Sequence, residues 1–166
     1  INDPDILLFG SGAILNECLK AHEILKQFDI TSEVWSVTSF NMLRKDGMEI
    51  ENANLKNPSK TPQASYVEQS FAHENIPAGA ATDYMRAYAE QIRPFVKGTY
   101  LTLGTDGFGR SDSRKKLREY FEVDANNIAA TAAYALLQDQ RIDKKQVGKI
   151  YEKLGINKDK SSPWVQ

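Results

Sequence analysis

A glycine-rich turn at residues 105–112 carries the side chains best suited to hold a ligand. It combines carboxylates, a guanidinium and hydroxyls with two glycines, in the order Thr105, Asp106, Gly107, Phe108, Gly109, Arg110, Ser111 and Asp112. A helical pattern follows, with Ser111 or Asp112 as its expected cap, and backbone N–H groups at a helix start attract anions. The spacing equally permits a structural corner in which Asp106 or Asp112 pairs with Arg110. The corner is the interpretation we favour, and in it Phe108 anchors the turn in the core.

A second glycine-rich turn, Gly10-Ser11-Gly12, follows a short apolar run. A dinucleotide-binding turn would have its third glycine where Leu15 stands, and an acidic residue at the end of the next strand. The sequence has neither of them. We therefore expect a tight strand-to-helix turn, in which glycine avoids a side-chain clash.

The cysteine and histidine content predicts neither a metal site nor a disulfide. Cys18 and His22 have the i, i+4 spacing at which an imidazole could activate a thiol, but Cys18 falls in an apolar stripe that favours core packing. His22 and His73 have no CxxC or HxxxH partner, so no zinc-site spacing exists. The single cysteine also favours a reducing compartment.

The elements that must position these turns alternate between strand and helix patterns. Strand patterns occur at residues 6–9, 33–40, 76–81 and 99–104. A helical stripe follows the first strand, formed by Ile14, Cys18, Ala21, Leu25 and Phe28. The polar stretch at residues 41–63 predicts short helices and irregular connection on the surface, and residues 63–73 are weakly helical.

Capping residues mark three further helices. Asp83 is expected to cap a helix that ends near Arg93 and places Tyr84, Tyr88 and Ile92 on one face. Asp124 begins an alanine-rich helix through Gln140, and Asp143 with Gln146 begins a last one that stops at Gly155. The alternation predicts an α/β three-layer sandwich: a small, mostly parallel (mixed) sheet of four to five strands with helices on both faces.

Composition and charge argue against some classes of binding partner. The chain has 166 residues, 41% of them hydrophobic, and a net charge of -1, which suits one domain over residues 1–166 and argues against nucleic acid as a partner. No apolar run approaches the roughly 20 residues of a membrane span, so no membrane is expected as a partner, and the start lacks a signal-peptide pattern. Because the sequence begins with Ile1 rather than Met, we expect a domain excised from a larger enzyme.

Residues 103–124, LGTDGFGRSDSRKKLREYFEVD, resemble the homodimeric first components of bacterial pyruvate dehydrogenase complexes. The resemblance continues through LLFGSGAIL at 7–15, WSVTSF at 35–40, ATDYM at 81–85, AEQ at 89–91 and IDKK at 142–145. It covers nearly the whole chain and implies the third, transketolase-type C-terminal domain of a three-domain subunit. It further implies a cytoplasmic bacterial enzyme that decarboxylates pyruvate with thiamine diphosphate and acetylates the lipoyl group of an acetyltransferase component. The implied partners are that component, the homodimer mate and the other domains of the subunit.

The same resemblance implies that cofactor ligands lie elsewhere in the subunit. Thiamine diphosphate and Mg²⁺ bind the first domain of such enzymes, and the activating glutamate comes from the second domain. Thr105-Asp106-Gly107 followed by Asn126-Asn127 imitates the metal-binding motif, but threonine replaces a glycine, the interval is short and the intervening residues form a helical pattern. We therefore predict no catalytic, cofactor-binding or metal-binding residue in this chain. The alternative is a free-standing module that binds an anion or nucleotide at residues 105–112.

Overall fold

Four parallel strands form the centre of the fold in the computed structural model, which describes residues 4–71 and 75–165. The strands are β1 (Ile6–Gly10), β2 (Ser32–Ser36), β3 (Ala78–Ala81) and β4 (Tyr100–Leu103), in the order β2-β1-β3-β4. Leu8 pairs with Val34 on one side and Gly79 on the other. The predicted α/β sheet is confirmed. All three strand pairs among the described residues are parallel, so the mixed pairing that the prediction allowed is not found there.

Helices cover both faces of the sheet, which gives the predicted three layers. The α-helices are α1 (Leu15–Lys26), α2 (Phe40–Lys56), α3 (Tyr66–Ser70), α4 (Arg86–Glu90), α5 (Arg114–Phe121), α6 (Ala125–Gln138) and α7 (Lys144–Leu154), with short 3-10 turns at Gly12–Ile14, Arg93–Phe95 and Pro163–Val165. None of the helices in the described ranges is long and apolar enough to cross a bilayer.

Strand β1 contributes to both hydrophobic cores, because its side chains point alternately to the two faces of the sheet. Ile6 and Leu8 pack in the core formed with α1, α6 and α7, whereas Leu7 and Phe9 pack in the core beneath α2, α3 and α4. All five residues of β1 are buried. A continuous apolar strand of this kind is expected at the centre of a parallel sheet.

The largest error of the sequence prediction concerns residues 37–56. The second strand ends at Ser36 instead of Phe40, and a 17-residue helix replaces the expected short helices and irregular connection. Ser39 begins that helix by accepting a hydrogen bond from the Met42 N–H at 3.2 Å. The Asp46-Gly47 pair resembles a turn signal, but a Cβ at Gly47 would come within 2.2 Å of the Phe95 ring. Gly47 therefore serves close packing in mid-helix.

Helix starts were predicted well only where the cap lies next to a long apolar stripe. Asp124 caps α6, and Asp143 forms a capping box with Gln146 at the start of α7. Gly155 ends α7 with a φ of +66°. By contrast, Ser113 rather than Ser111 or Asp112 caps α5.

The helix predicted after Asp83 is much shorter than expected. Helix α4 begins after Met85, which makes no side-chain cap, so Tyr84 precedes the helix and does not share a helical face with Tyr88. Ile92 is buried, but both tyrosines are exposed. Ile1 and His73, as well as the side chain of Trp164, lie outside the described residues.

A buried carboxylate joins three helices on one face of the sheet. Glu17 of α1 is 5% exposed and accepts hydrogen bonds from Lys20 Nζ at 2.9 Å, Arg118 Nη1 at 2.8 Å and the Ala125 N–H at 3.2 Å. Burial alone would raise the pKa of Glu17, but the hydrogen bond and charge of Lys20, with Ala125 N–H and Arg118, outweigh it and lower the pKa. Glu17 thus holds α5 and the positive end of α6 against α1.

We expect Glu17→Gln to lower the free energy of unfolding by about 2 to 4 kcal/mol at neutral pH, because Arg118 would lose the partner of its charge. Since folding lowers the pKa of Glu17, the carboxylate stabilises the fold above its ordinary value of 4.5, and this contribution is lost as the pH falls through the lower folded-state pKa. The difference in the free energy of unfolding between the wild-type chain and Glu17→Gln should therefore disappear at acidic pH. Denaturant unfolding across pH measures it.

Glu23→Gln is the matched control. Glu23 lies on the same helix and pairs with Lys26 at 2.8 Å, three residues away, as Glu17 pairs with Lys20. Because Glu23 is exposed, its loss should change stability little. Equal effects of the two substitutions would show that burial does not set the strength of the Glu17 cluster.

Candidate functional site

The turns after β1 and β3 meet at the carboxyl edge of the sheet, where open parallel sheets place their ligands. The Ser11 N–H donates to the Ala81 carbonyl at 3.2 Å. Gly12 has a φ of +56°, and a Cβ there would lie 3.5 Å from Asp83 Oδ1. The glycine is thus needed for the backbone conformation, as expected for a structural turn.

The turn at residues 105–112 is attached to the segment that follows β3. Thr105 donates from its N–H to the Tyr84 carbonyl at 2.9 Å and from its hydroxyl to the Asp83 carbonyl at 2.8 Å. Asp106 accepts from the Arg86 N–H at 3.1 Å, and its second oxygen lies 3.2 Å from Arg86 Nε. These contacts fix the first two residues of the turn against the start of α4.

Gly104 brings these two segments together. A Cβ at this position would lie 2.6 Å from both the Arg86 nitrogen and the Tyr84 oxygen. Any side chain here would therefore push β4 away from the segment after β3. The Thr105 and Asp106 hydrogen bonds depend on this close approach.

Two expectations about the turn are wrong. Arg110 makes no ion pair within the described residues with Asp106 or Asp112; its guanidinium lies 4.5 Å from the centre of the Tyr120 ring. Asp106 is engaged by Arg86, and Asp112 accepts the Ser113 N–H at 2.6 Å. Phe108 does not anchor the turn in the core, because its side chain is 82% exposed.

Arg86 is the residue of this site that sequence reasoning missed. It lies 20 residues before Asp106, in a stretch where the predicted helix start was misplaced. A signal did exist: Arg86 follows β3, Asp106 follows β4, and adjacent parallel strands bring such residues to one edge. The same argument would have favoured Arg86 over Arg110 as the partner of Asp106.

Cys18 and His22 do not form a thiol–imidazole pair. Cys18 is fully buried, and burial, followed by the charge of Glu17, raises the pKa of its thiol to about 12. His22 Nδ1 lies 2.8 Å from Ser32 Oγ instead. The expected packing role of Cys18 is confirmed, and a neutral thiol of this kind is a poor nucleophile.

The residues that imitate a metal motif have other partners. The Asn126 side chain donates to the Leu154 carbonyl at 3.2 Å, and the Asn127 side chain donates to Asp124 at 2.8 Å. Across residues 4–71 and 75–165, no three His, Cys, Asp or Glu side chains converge as metal ligands would. That the chain supplies no cofactor ligand stays a prediction.

A groove of about 680 Å³ lies between α1, α5, α6 and the end of α7. Several of its charged side chains already have partners: Glu17 binds Arg118, and Lys160 lies 3.3 Å from Glu122. Lys160 also donates to the Glu119 and Tyr120 carbonyls, both at 2.7 Å. Part of the lining of the groove therefore holds the helices together.

Comparison with known proteins agrees with the parallel sheet and its helices. Residues 2–124 match the family model of the transketolase-like TK C-terminal domain. Solved structures with the same fold include a mutant transketolase from Pichia stipitis, at 16% identity and a TM-score of 0.57 over 86% of this chain and 18% of that one. A split-gene transketolase has a TM-score of 0.51 over 81% of this chain and 40% of that one, at 13% identity.

Curated relatives share far more sequence. The pyruvate dehydrogenase E1 component of Pseudomonas aeruginosa is 47% identical over 160 residues, or 95% of this chain. Those of Escherichia coli K12 and Cupriavidus necator are 45% and 42% identical over 95% and 98% of the chain. In each case the chain spans 18% of the relative's length.

Asp106→Ala should lower the free energy of unfolding by about 1 to 2 kcal/mol, because it leaves the part-buried Arg86 N–H without its acceptor. Asp106→Asn retains an acceptor for that N–H and should cost less. Arg110→Ala should cost under about 1 kcal/mol, since it removes only an exposed stacking contact with Tyr120. Denaturant unfolding of the three variants measures this order, and a greater loss for Arg110→Ala than for Asp106→Ala would contradict it.

Proposed function

The chain belongs to the family of transketolase-like C-terminal domains, and from that premise we propose that it works as the C-terminal domain of a pyruvate dehydrogenase E1 component. The observation that carries the proposal is the 42 to 47% identity to such components over at least 95% of the chain. The transketolase structures, at 16% identity or less, support the fold alone.

The proposed activity belongs to the intact subunit. Pyruvate loses carbon dioxide, the remaining two-carbon unit is oxidised to an acetyl group, and the lipoyl disulfide of the acetyltransferase component is reduced as it accepts that group. Thiamine diphosphate with Mg²⁺ supplies the carbanion chemistry of decarboxylation when it is bound to the other domains. The bacterial relatives support a bacterial enzyme, and we propose the cytoplasm as its compartment.

For this chain we propose a supporting role in the subunit and its homodimer. Two side chains at the carboxyl edge of the sheet that could take part in chemistry have internal partners: Asp106 binds Arg86, and Thr105 binds the backbone of Asp83. The one cysteine is buried. A domain whose polar groups are used in this way contributes position and packing more readily than catalysis.

An aromatic patch supports contact with other parts of the enzyme. Tyr84, Met85 and Tyr88 are 61%, 52% and 38% exposed, and the two tyrosine rings lie 5.3 Å apart. Large exposed apolar side chains that lie together are typical of interfaces. We propose that this aromatic patch contacts the neighbouring domains or the homodimer mate.

The 166-residue chain should not bind thiamine diphosphate in the presence of Mg²⁺, because the proposed cofactor ligands lie on other domains. Calorimetric titration of the chain should be flat, and the intact subunit should give saturable binding together with pyruvate decarboxylation. Saturable, Mg²⁺-dependent binding to the chain alone would refute the assignment of the cofactor site to other domains. An intact subunit that lacked the activity would refute the proposed function itself.

The isolated chain should associate weakly through the aromatic patch. Sedimentation velocity over a range of concentrations should show a rising average mass, and Tyr84→Ser/Tyr88→Ser should reduce that rise. Tyr134→Ser is the matched control, because Tyr134 is 44% exposed on α6. A strict monomer at high concentration, or an equal effect of the control, would contradict this use of the patch.

A further inference from the structure

Residues 107–116, GFGRSDSRKK, form a continuous exposed stretch that we call the basic segment. It runs from the end of the glycine-rich turn into the first turn of α5. It contains four cationic residues, Arg110, Arg114, Lys115 and Lys116, against one acidic residue, Asp112, so its net charge is 4 − 1 = +3. The whole chain has a net charge of −1, so the positive charge is local.

These cations have almost no carboxylate partners within the described residues. Arg110, Arg114 and Lys116 make no ion pair there, and Lys115 lies 3.9 Å from the exposed Glu119. Asp112 directs a carboxylate oxygen to the Ser113 N–H. The positive charge of the basic segment is therefore left facing solvent.

The position of the cations is unfavourable for the helix that carries them. Arg114, Lys115 and Lys116 occupy the first turn of α5, which contains no acidic residue. The amino end of a helix carries partial positive charge, so cations there repel it, whereas anions would stabilise it. An external anionic group would relieve this repulsion.

An exposed aromatic ring indicates what kind of anion fits. Phe108 is 82% exposed, the highest value among the large apolar side chains of the described residues. Arg110 stacks on Tyr120, and this contact positions the Arg110 guanidinium beside the turn that carries Phe108. Arginine and aromatic residues are enriched where protein interfaces derive most of their binding energy.

We propose that the basic segment is a docking surface for an acidic segment of another polypeptide that also carries an apolar side chain to cover Phe108. The spread of the cations favours a polypeptide over a small anion. Residues two apart on a helix do not face each other, so one phosphate would not reach both Arg114 and Lys116. An extended acidic segment reaches cations on the turn and on the helix. This proposal does not depend on the pyruvate dehydrogenase assignment.

The test measures binding of labelled synthetic peptides to the full 166-residue chain by fluorescence anisotropy at low and at physiological salt. One peptide contains glutamate and leucine, a second contains glutamate alone, and a third replaces each glutamate of the first by glutamine. A labelled single-stranded oligonucleotide and inorganic phosphate are the remaining probes. The variants are Arg114→Glu/Lys116→Glu and Phe108→Ser, neither of which removes an ion pair among residues 4–71 and 75–165.

Lys144→Glu/Lys145→Glu is the matched control. It makes the same change of charge in the first turn of α7, where both lysines are exposed and no residue corresponds to Phe108. Thermal unfolding of every variant checks the fold. Arg114→Glu/Lys116→Glu should not lower the melting temperature, because it places acidic residues at a helix start.

The chain should bind the glutamate–leucine peptide, and Arg114→Glu/Lys116→Glu should weaken binding about tenfold or more, against less than about twofold for the control. Phe108→Ser should weaken binding of the leucine-containing peptide and leave that of the glutamate peptide unchanged. The proposal would be overturned if the control variant lost as much affinity, or if Phe108→Ser had no effect. It would also be overturned if the glutamine peptide bound as tightly as the acidic one. Displacement of the peptide by inorganic phosphate, or tighter binding of the oligonucleotide, would likewise overturn it.

Discussion

The buried carboxylate of Glu17 is the interaction on which the arrangement of the second half of the chain depends. It accepts hydrogen bonds from α5 through Arg118 and from the first turn of α6 through Ala125, while belonging to α1 itself. A buried charge is costly unless it is paired and hydrogen-bonded, so the three helices cannot separate without exposing or isolating it. The position of α5 follows from this requirement.

The loop between β4 and α5 is consequently fixed at both ends and exposed in the middle. Asp106 attaches its beginning to Arg86, and Arg118 attaches the helix after it to Glu17. Residues 107–112 between these two points are all exposed. The anchored ends therefore position the segment, while its own side chains stay exposed. Exposed side chains on a positioned segment are suited to recognition by a partner.

Local sequence signals predicted the elements whose causes are local. The apolar run of β1, the Asp124 cap and the Asp143 capping box need only neighbouring residues to be recognised. Helix α2 escaped prediction because Asp46-Gly47 is locally a turn signal, whereas Gly47 in fact packs on Phe95, 48 residues away. The Asp106–Arg86 contact was missed for the same reason, since it depends on the pairing of β3 with β4. For the turn at residues 105–112, residue chemistry alone left both a structural corner and an anion-binding site open. The parent enzyme was indicated only by the resemblance over nearly the whole chain.

The two ends of α5 differ in how they are stabilised, and this difference bears on the basic segment. At its carboxyl end the helix meets a cation, Lys160, which donates to the Glu119 and Tyr120 carbonyls as the helix dipole favours. At its amino end the dipole is opposed by three cations that the described part of the chain barely neutralises. Ser113 caps the amino end, but the cations of the first turn still oppose the helix dipole there, and an external anion would offset that repulsion. This charge repulsion lies on an exposed turn rather than in the core, so the fold tolerates it. The unbalanced positive charge therefore stays available to an acidic partner.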